Sequence, residues 1–163
     1  MFFSGLAVML ALTVACAAPV SAPEKPEAIV IALPSTNGSC GTTLCCSTCS
    51  AIPVVRIVDG DTFITSGNQS VRLFGIDTPE KGEKCYQEAT ERLKELAGSE
   101  VRSELGPRAK DRYDRLLYYV YTQDGRSIDE MLVTEGLAKA WPRDGQHRDL
   151  LVRTEGEAKG CLK

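Results

Sequence analysis

The chain has too little positive charge to bind nucleic acid by charge alone. Its 163 residues contain 19 Lys and Arg against 22 Asp and Glu, which gives a formal net charge of −3. Residues 51–163 hold 18 of the basic and 20 of the acidic side chains and are close to neutral. A protein that depends on tight nonspecific binding of DNA is usually strongly basic. The composition therefore favours turnover at a locally positive cleft, for which five side chains are candidates: Lys81, Lys84, Arg108, Lys110 and Arg112.

Histidine and tryptophan are each present once. His147 is flanked by polar residues and is predicted to lie at the surface rather than to act as a base. Trp141 is predicted to anchor the core or its rim rather than to stack on a base. The hydrophobic fraction of 43% is enough for a single packed core.

No charged side chain precedes Glu24. The apolar run ending in small residues predicts an export signal, either a signal peptide or a lipoprotein signal, over residues 1–17. Ala15-Cys16-Ala17 has the form of an ordinary cleavage site, whereas Leu12 to Cys16 resembles a lipobox that would carry lipid on Cys16. A retained membrane anchor is a third alternative, which Pro19 disfavours. Each alternative places the following domain outside the cytosol, secreted or in the cell envelope.

Residues 18–50 are rich in Pro, Ser, Gly and Thr and are predicted to be a linker that adds nothing to the core. If Cys16 is removed or lipidated, six cysteines remain, an even number that suits an oxidising compartment. No histidine is near the cluster at residues 40–49, so disulfides are favoured over a metal. Adjacent cysteines rarely bond to each other, which leaves two pairing orders for Cys40, Cys45, Cys46 and Cys49. Within the domain, Cys85 and Cys161 are expected to pair with each other.

Residues 54–80 set charged side chains at the ends of neighbouring predicted strands. Asp61 and Asp77 are carboxylates suited to Ca²⁺ or Mg²⁺. Arg72 would hold two phosphate oxygens beside such an ion, and Glu80 could act as a general base on water. Taken singly, the DGDT and DTPE segments are equally typical of ordinary turns.

A further segment, DRYDRLLYYVYT at residues 111–122, makes the pattern specific. The chain resembles the staphylococcal nuclease-like (thermonuclease) family, whose motifs include VDGDT, a strand arginine, DTPE and D-x-Y-G-R-L-x-Y-V-Y. A later helix of the form E-x-L-V-x-x-G-x-A is matched by residues 130–138. The motifs follow in the family's order, and the resemblance covers about residues 51–162.

The resemblance implies an enzyme, a Ca²⁺-dependent endonuclease that hydrolyses DNA and RNA to 3′-phosphate ends. Its metal ligands would be Asp61, Asp77 and the backbone carbonyl of Thr78. Its catalytic groups would be Arg72, Glu80 and Arg115, with the glutamate assisting attack by water and the arginines stabilising charge on phosphorus.

Substrate contacts are expected from Tyr113, which matches a family tyrosine that contacts phosphate, and from Lys84. We expect single-stranded substrates and a monomeric protein. Alternatives are a catalytically weak module of the same fold that binds nucleic acid or protein, and an adhesive surface protein in which the cysteine-rich linker is the functional part.

Two positions depart from the family pattern. Asp114 replaces the glycine before the second arginine; aspartate tolerates a positive φ there, but its charge is expected to repel the substrate phosphate and to compete for Arg115. The loop at residues 81–85 is shorter than the family's mobile loop, so Glu80 is expected to be held more rigidly.

The expected fold is a β-rich α+β fold, an OB-type five-stranded barrel with three packed helices. Helices are predicted at Tyr86–Ala97 with Gly98 as its stop, after a capping box formed by Ser127 and Glu130, and at about Arg148–Lys159. Strands are predicted in five places: near residues 54–59, 61–66, 70–76, 100–105 and 116–122.

Overall fold

The computed structural model describes Met1 and residues 40–163. The predicted export signal, the lipidation site at Cys16 and the linker up to residue 39 lie outside this part of the chain. Among the described residues no helix has the length and apolar character needed to span a bilayer.

The described chain folds into a six-stranded sheet, a two-stranded sheet and three helices. In the larger sheet the strand order is β1-β6-β7-β4-β3-β2, and only the contact between β4 and β7 is parallel. The strands are β1 Ser50–Pro53, β2 Arg56–Ile57, β3 Thr62–Ile64, β4 Ser70–Leu73, β5 Ile76–Asp77, β6 Glu100–Lys110, β7 Leu116–Tyr121 and β8 Lys139–Ala140. The helices are α1 Tyr86–Ala97, α2 Ile128–Thr134 and α3 Arg148–Glu157.

This arrangement confirms the OB-type α+β class with three helices. Eight strands form rather than the five predicted, because β1, β5 and β8 are additional. Of these, β5 arises because the strand expected at residues 70–76 is interrupted. Gly75 leaves the ladder, and its N–H donates to the buried carboxylate of Asp129. A Cβ at Gly75 would lie 2.5 Å from the side chain of Leu151, so only glycine fits there. The segment beyond this break forms β5, which pairs with β8.

Two further strand predictions need correction. The loop expected at Gly106-Pro107 does not form, because β6 continues to Lys110 through a register shift after Leu105. Buried Gly106 packs against the ring of Phe74 at this point. The strand predicted near residues 54–59 is reduced to β2, and an additional strand, β1, precedes it and pairs with β6.

The helices follow their sequence signals closely. Helix α1 has the predicted bounds, buries Ala89, Leu93 and Ala97, and ends where the Gly98 N–H donates to the Lys94 carbonyl. Helix α3 ends two residues earlier than expected. For α2, the Ser127 side chain accepts the Glu130 N–H as predicted.

The Glu130 carboxylate has a different partner from the one that a capping box predicts. It accepts the backbone N–H groups of Thr43 and Leu44, at 2.8 and 2.7 Å. Leu44, Cys46 and Cys49 also pack against the second of two core clusters. The prediction that the linker adds nothing to the core is therefore wrong for residues 40–49.

All six cysteines in the described region form disulfides. The clustered pairs are Cys40–Cys45 and Cys46–Cys49, which selects one of the two predicted orders. The third bridge joins Cys85 to Cys161 as predicted and ties the start of α1 to the C-terminal segment.

His147 is only partly exposed rather than fully at the surface, because it contacts Tyr119 and Glu104. Its ring lies 4.5 Å from the ring of Tyr119, and its Nε2 lies 2.9 Å from the carboxylate of Glu104. Hydrogen bonding to His147, opposed by burial and aided by the Tyr121 hydroxyl, lowers the pKa of Glu104 to about 2. The histidine thus belongs to a polar contact between β6 and the start of α3.

Candidate active site

A tight turn places Asp61 beside the strand that carries Arg72. The Asp61 N–H donates to the Asp59 side chain, and the Asp61 carbonyl accepts the Leu73 N–H at 2.8 Å. Gly60 is required in this turn, because a Cβ there would lie 2.8 Å from the Cβ of Ala89. The turn therefore fixes the Asp61 carboxylate below the sheet surface, with the residue only 4% exposed.

Arg72 forms ion pairs with both predicted metal ligands. One guanidinium nitrogen contacts the Asp61 carboxylate and another lies 2.6 Å from Asp77. Burial opposes the charge of Arg72, but the two carboxylates outweigh it and raise the pKa of Arg72 further above its ordinary value. The structure thus brings Asp61, Arg72 and Asp77 together as the sequence predicted.

Thr78 completes the surroundings of Asp61. Its N–H and hydroxyl both donate to the Asp61 carboxylate, at 3.1 and 3.0 Å. Burial and, less strongly, the neighbouring charge of Asp61 raise the pKa of Asp59, so its ionised form is disfavoured at this turn. Thr78 thus contacts Asp61 through its N–H and hydroxyl, whereas the predicted metal ligand is its backbone carbonyl.

Arg115 approaches the same region from the start of β7. Its Nε lies 2.7 Å from the Asp111 carboxylate, and its Nη1 lies 3.5 Å from the Thr62 hydroxyl. Asp111 also accepts the N–H groups of Tyr113 and Arg115, which closes the turn. These bonds, opposed by burial, lower the pKa of Asp111. Thr62 pairs with Arg72 across β3 and β4, so the two arginines flank one hydroxyl.

Asp111 orients the side chain of Arg115, and its own motif had suggested no role for it. Its signal was available, because an aspartate four residues before an arginine within a turn can contact that arginine. The carboxylate that contacts Arg115 is therefore Asp111 and not Asp114. Asp114 has a φ of 64° and bonds instead to Lys110 at 2.7 Å, with 82% of its side chain exposed.

A cavity of about 540 Å³ opens beside the two arginines. Tyr113 stands at its edge, 65% exposed, with the guanidinium groups of Arg112 and Arg115 at 4.7 and 5.6 Å from its ring. The wall also includes Arg108, Trp141 and Arg143. The contribution of Trp141 and Arg143 could not be read from local sequence, because they follow β8 and reach the cavity only through the fold.

Neither Lys84 nor Glu80 lines the cavity that contains the two arginines. Lys84 lines a separate cavity of about 400 Å³ with Asp77, Thr78 and Lys139. Glu80 is exposed, and its N–H donates to the Glu83 side chain at 2.8 Å. Within residues 40–163, no group of three His, Cys, Asp or Glu side chains is arranged to hold a metal, so Glu80 does not join the two aspartates in such a cluster.

The staphylococcal nuclease homologue family matches residues 70–161, more than half of the chain and the part that contains Arg72, Asp77 and Arg115. The chain belongs to the staphylococcal nuclease family. This confirms the resemblance drawn from the sequence motifs.

Relatives within the staphylococcal nuclease family carry nuclease names. The SPbeta prophage-derived endonuclease YokF of Bacillus subtilis (strain 168) is 40% identical over 119 residues, covering 64% of this chain and 40% of the relative. Thermonuclease of Staphylococcus intermedius is 35% identical over 118 residues, covering 65% of this chain and 70% of the relative. Endonuclease YncB of Bacillus subtilis (strain 168) is 43% identical over 96 residues, covering 52% of this chain and 44% of the relative. The chain thus spans less than half the length of the two Bacillus relatives.

Proposed function

We propose that this member of the staphylococcal nuclease family is an exported, Ca²⁺-dependent endonuclease that hydrolyses single-stranded DNA and RNA to 3′-phosphate ends. The observation that carries the proposal is that Arg72 and Arg115 line one cavity while Arg72 also contacts the carboxylates of Asp61 and Asp77. A volume of about 540 Å³ is in the range of small-molecule sites and suits a nucleotide. The names of the relatives support the same reaction class.

The donor set suits a hard cation. Asp61 and Asp77 both contact the guanidinium of Arg72, so their carboxylates converge on one point where positive charge is favourable. Calcium prefers carboxylate and carbonyl oxygens and accepts water for its remaining ligands. Asp61, Asp77 and the Thr78 carbonyl would therefore hold the ion. When bound, calcium would supply positive charge beside the phosphate oxygens.

The arginines would stabilise the charge that develops on phosphorus. A guanidinium group presents several N–H donors in a fixed plane and binds phosphate oxygens in pairs. Arg115 is oriented by Asp111, so it does not have to be ordered during the reaction. Arg72 contacts both aspartates, and a cation bound to these carboxylates would leave the N–H donors of Arg72 to the phosphate. Such preorganised donors act mainly on the transition state.

Glu80 would take a proton from the attacking water. The oxygen of that water forms a bond to phosphorus as the bond from phosphorus to the 5′-oxygen breaks. The 5′-oxygen leaves with the electron pair of that bond and takes a proton from solvent to become a hydroxyl. Glu80 is exposed in the short loop that follows Asp77 and Thr78, so its carboxylate is open to solvent. The phosphate then remains on the 3′-oxygen.

The test is digestion of single-stranded DNA, RNA and duplex DNA by the full chain with its disulfides intact. We expect hydrolysis with Ca²⁺, none after addition of a chelator, and 3′-phosphate ends in the products. Glu80→Gln and Arg115→Ala should each lower kcat by about 10²- to 10⁴-fold. The matched controls Glu91→Gln and Arg153→Ala alter exposed side chains of α1 and α3 and should retain full activity.

Full activity of either site variant would refute the assigned roles. Binding without hydrolysis under all metal conditions would instead make the chain a binding module. Hydrolysis that survives chelation would refute the role of calcium while leaving the nuclease activity.

Export is supported by the three disulfides of residues 40–163, since such bonds persist in oxidising compartments. The three predicted fates of the N-terminus differ in where the protein is found. Fractionation of cells that express the full chain, with a Cys16→Ser variant beside it, distinguishes them. Release of the variant from the membrane fraction would support lipidation, and activity confined to the cytosol would refute export.

A further inference from the structure

Three arginines of the cavity have no part in the proposed reaction, and two of them, Arg108 and Arg143, lie apart from the turn that carries Arg112 and Arg115. Arg108 lies in the second half of β6, and Arg143 lies between β8 and α3. Both line the same cavity as Arg72 and Arg115. They come from distant parts of the chain and meet there only because β6 continues beyond the predicted loop.

Arg143 is available to a ligand. Its guanidinium lies 5.2 Å from the ring centre of Trp141, and the residue is exposed. Within residues 40–163, no carboxylate lies within ion-pair distance of Arg143. A stacked arginine without a carboxylate keeps its N–H donors for an incoming anion.

Arg108 forms an ion pair with a carboxylate that a phosphate could displace. Its guanidinium lies 5.3 Å from the ring centre of Phe74 and 3.2 Å from the carboxylate of Asp144. Both partners of this ion pair are well exposed, at 51% and 43%. Such pairs contribute little to stability, so a phosphate can replace the carboxylate. The Asp144 carboxylate also accepts the indole N–H of Trp141 at 2.8 Å and so links Arg108 to the tryptophan.

The cavity concentrates positive charge in a domain that is close to neutral. Its wall carries five arginines and only one carboxylate, that of Asp111. The exposed ring of Tyr113 stands among these arginines, and the partly buried ring of Trp141 lies in the same wall. Arginines interleaved with accessible rings are what a single strand requires, because its phosphates need charge and its unpaired bases can stack. A duplex keeps its bases stacked on each other.

We propose that Arg108 and Arg143, linked through Asp144 and Trp141, form a second phosphate-binding subsite for single-stranded nucleic acid. This subsite binds the substrate backbone at a point away from the phosphodiester that is cleaved. The inference rests on the proposed function, since it assigns to the same cavity the polymer that the active site would cut. It also explains how a near-neutral domain retains a polymeric substrate.

The experiment measures binding without hydrolysis. The full chain in chelator is titrated with a labelled 12-residue oligothymidylate, and fluorescence anisotropy is recorded together with the emission of Trp141, the only tryptophan. The titration is repeated at several salt concentrations. Each phosphate contact on a single strand contributes about 0.7 to the slope of log affinity against log salt.

The test variant is Arg108→Gln/Arg143→Gln. Its matched control is Arg148→Gln/Arg153→Gln, which removes the same charge from exposed positions of α3. For the test variant we expect roughly tenfold weaker binding at low salt. Its salt slope should be about 1.4 less steep. The control should change the slope by less than half as much, and circular dichroism verifies the fold of both.

A second variant gives a gain that misfolding cannot mimic. Asp144→Asn removes the carboxylate that competes for Arg108 while keeping an acceptor for Trp141. It should bind the oligonucleotide more tightly and with a steeper slope than Asp149→Asn, which removes a charge from α3.

An unchanged slope in the double variant, or equal losses in test and control, would overturn the subsite even if the chain hydrolyses DNA. Absence of measurable binding by the unmodified chain would also overturn it. Binding that depends on these arginines in a chain with no hydrolysis would refute the proposed function and leave the subsite standing.

Discussion

Removing the bridge between Cys85 and Cys161 should destabilise the domain more than removing any other disulfide of the described region. The bridge joins residues 76 positions apart, whereas the Cys46–Cys49 bridge spans a separation of 3. A cross-link stabilises mainly by limiting the unfolded chain, and its effect grows with the logarithm of loop length. The free energy of unfolding should therefore fall by about 4.5 kcal/mol for the long loop and by about 2 kcal/mol for the short one.

The assay compares Cys85→Ala/Cys161→Ala with Cys46→Ala/Cys49→Ala. Each variant removes two sulfur atoms, so part of the packing loss cancels between them. For a domain of this size, the two changes correspond to decreases in Tm of about 15 °C and 6 °C. Thermal unfolding, monitored by circular dichroism, measures both decreases in Tm. No thiol is added, so that the remaining disulfides do not exchange.

Two results would refute this reasoning. Mass spectrometry of the unreduced protein with both Cys85 and Cys161 as free thiols would eliminate the bridge. Equal decreases in Tm for the two variants would show that loop length does not determine the stabilisation. A larger decrease for the short loop would assign the effect to packing of residues 46–49 against the core instead.

Three further outcomes follow from the structure. Because the pKa of Glu104 is lowered to about 2, its contact with His147 should contribute stability that is present above about pH 4.5 and lost as the pH falls towards 2. Glu104→Gln should remove about 2 to 3 kcal/mol of the change in unfolding free energy with pH, measured by urea unfolding at several pH values. An unchanged pH profile in the variant would contradict this prediction. Deleting residues 1–50 should lower the free energy of unfolding by at least about 2 kcal/mol, because the buried carboxylate of Glu130 loses two N–H donors. Equal Tm values for the full and shortened chains would exclude this. Glu130→Ala in the shortened chain should recover part of the loss. Asp114→Gly should change kcat/KM by less than about twofold in physiological salt, since the carboxylate pairs with Lys110 and is screened; a large gain would instead support direct repulsion of substrate by Asp114.

The sequence alone determined the features that depend on neighbours along the chain. Helix α1 was predicted with its bounds because apolar residues recur every four positions and Gly98 ends the pattern. The set Asp61, Arg72 and Asp77 was also predicted, since each lies beside a turn or strand end that its own motif specifies. Local hydrogen bonding and periodicity are sufficient for such features.

The tertiary structure decided which partners the polar groups take. Glu130 binds N–H groups 86 and 87 residues away rather than its own capping residue, because the disulfide-linked segment at residues 40–49 covers the start of α2. Arg115 takes Asp111, and Asp114 turns to Lys110 at a positive φ. Arg108 and Arg143 share a cavity only because β6 runs through Gly106 and Pro107 instead of ending there. A sequence pattern indicates which polar side chains need partners, whereas long-range packing decides which partners lie close enough to bind them.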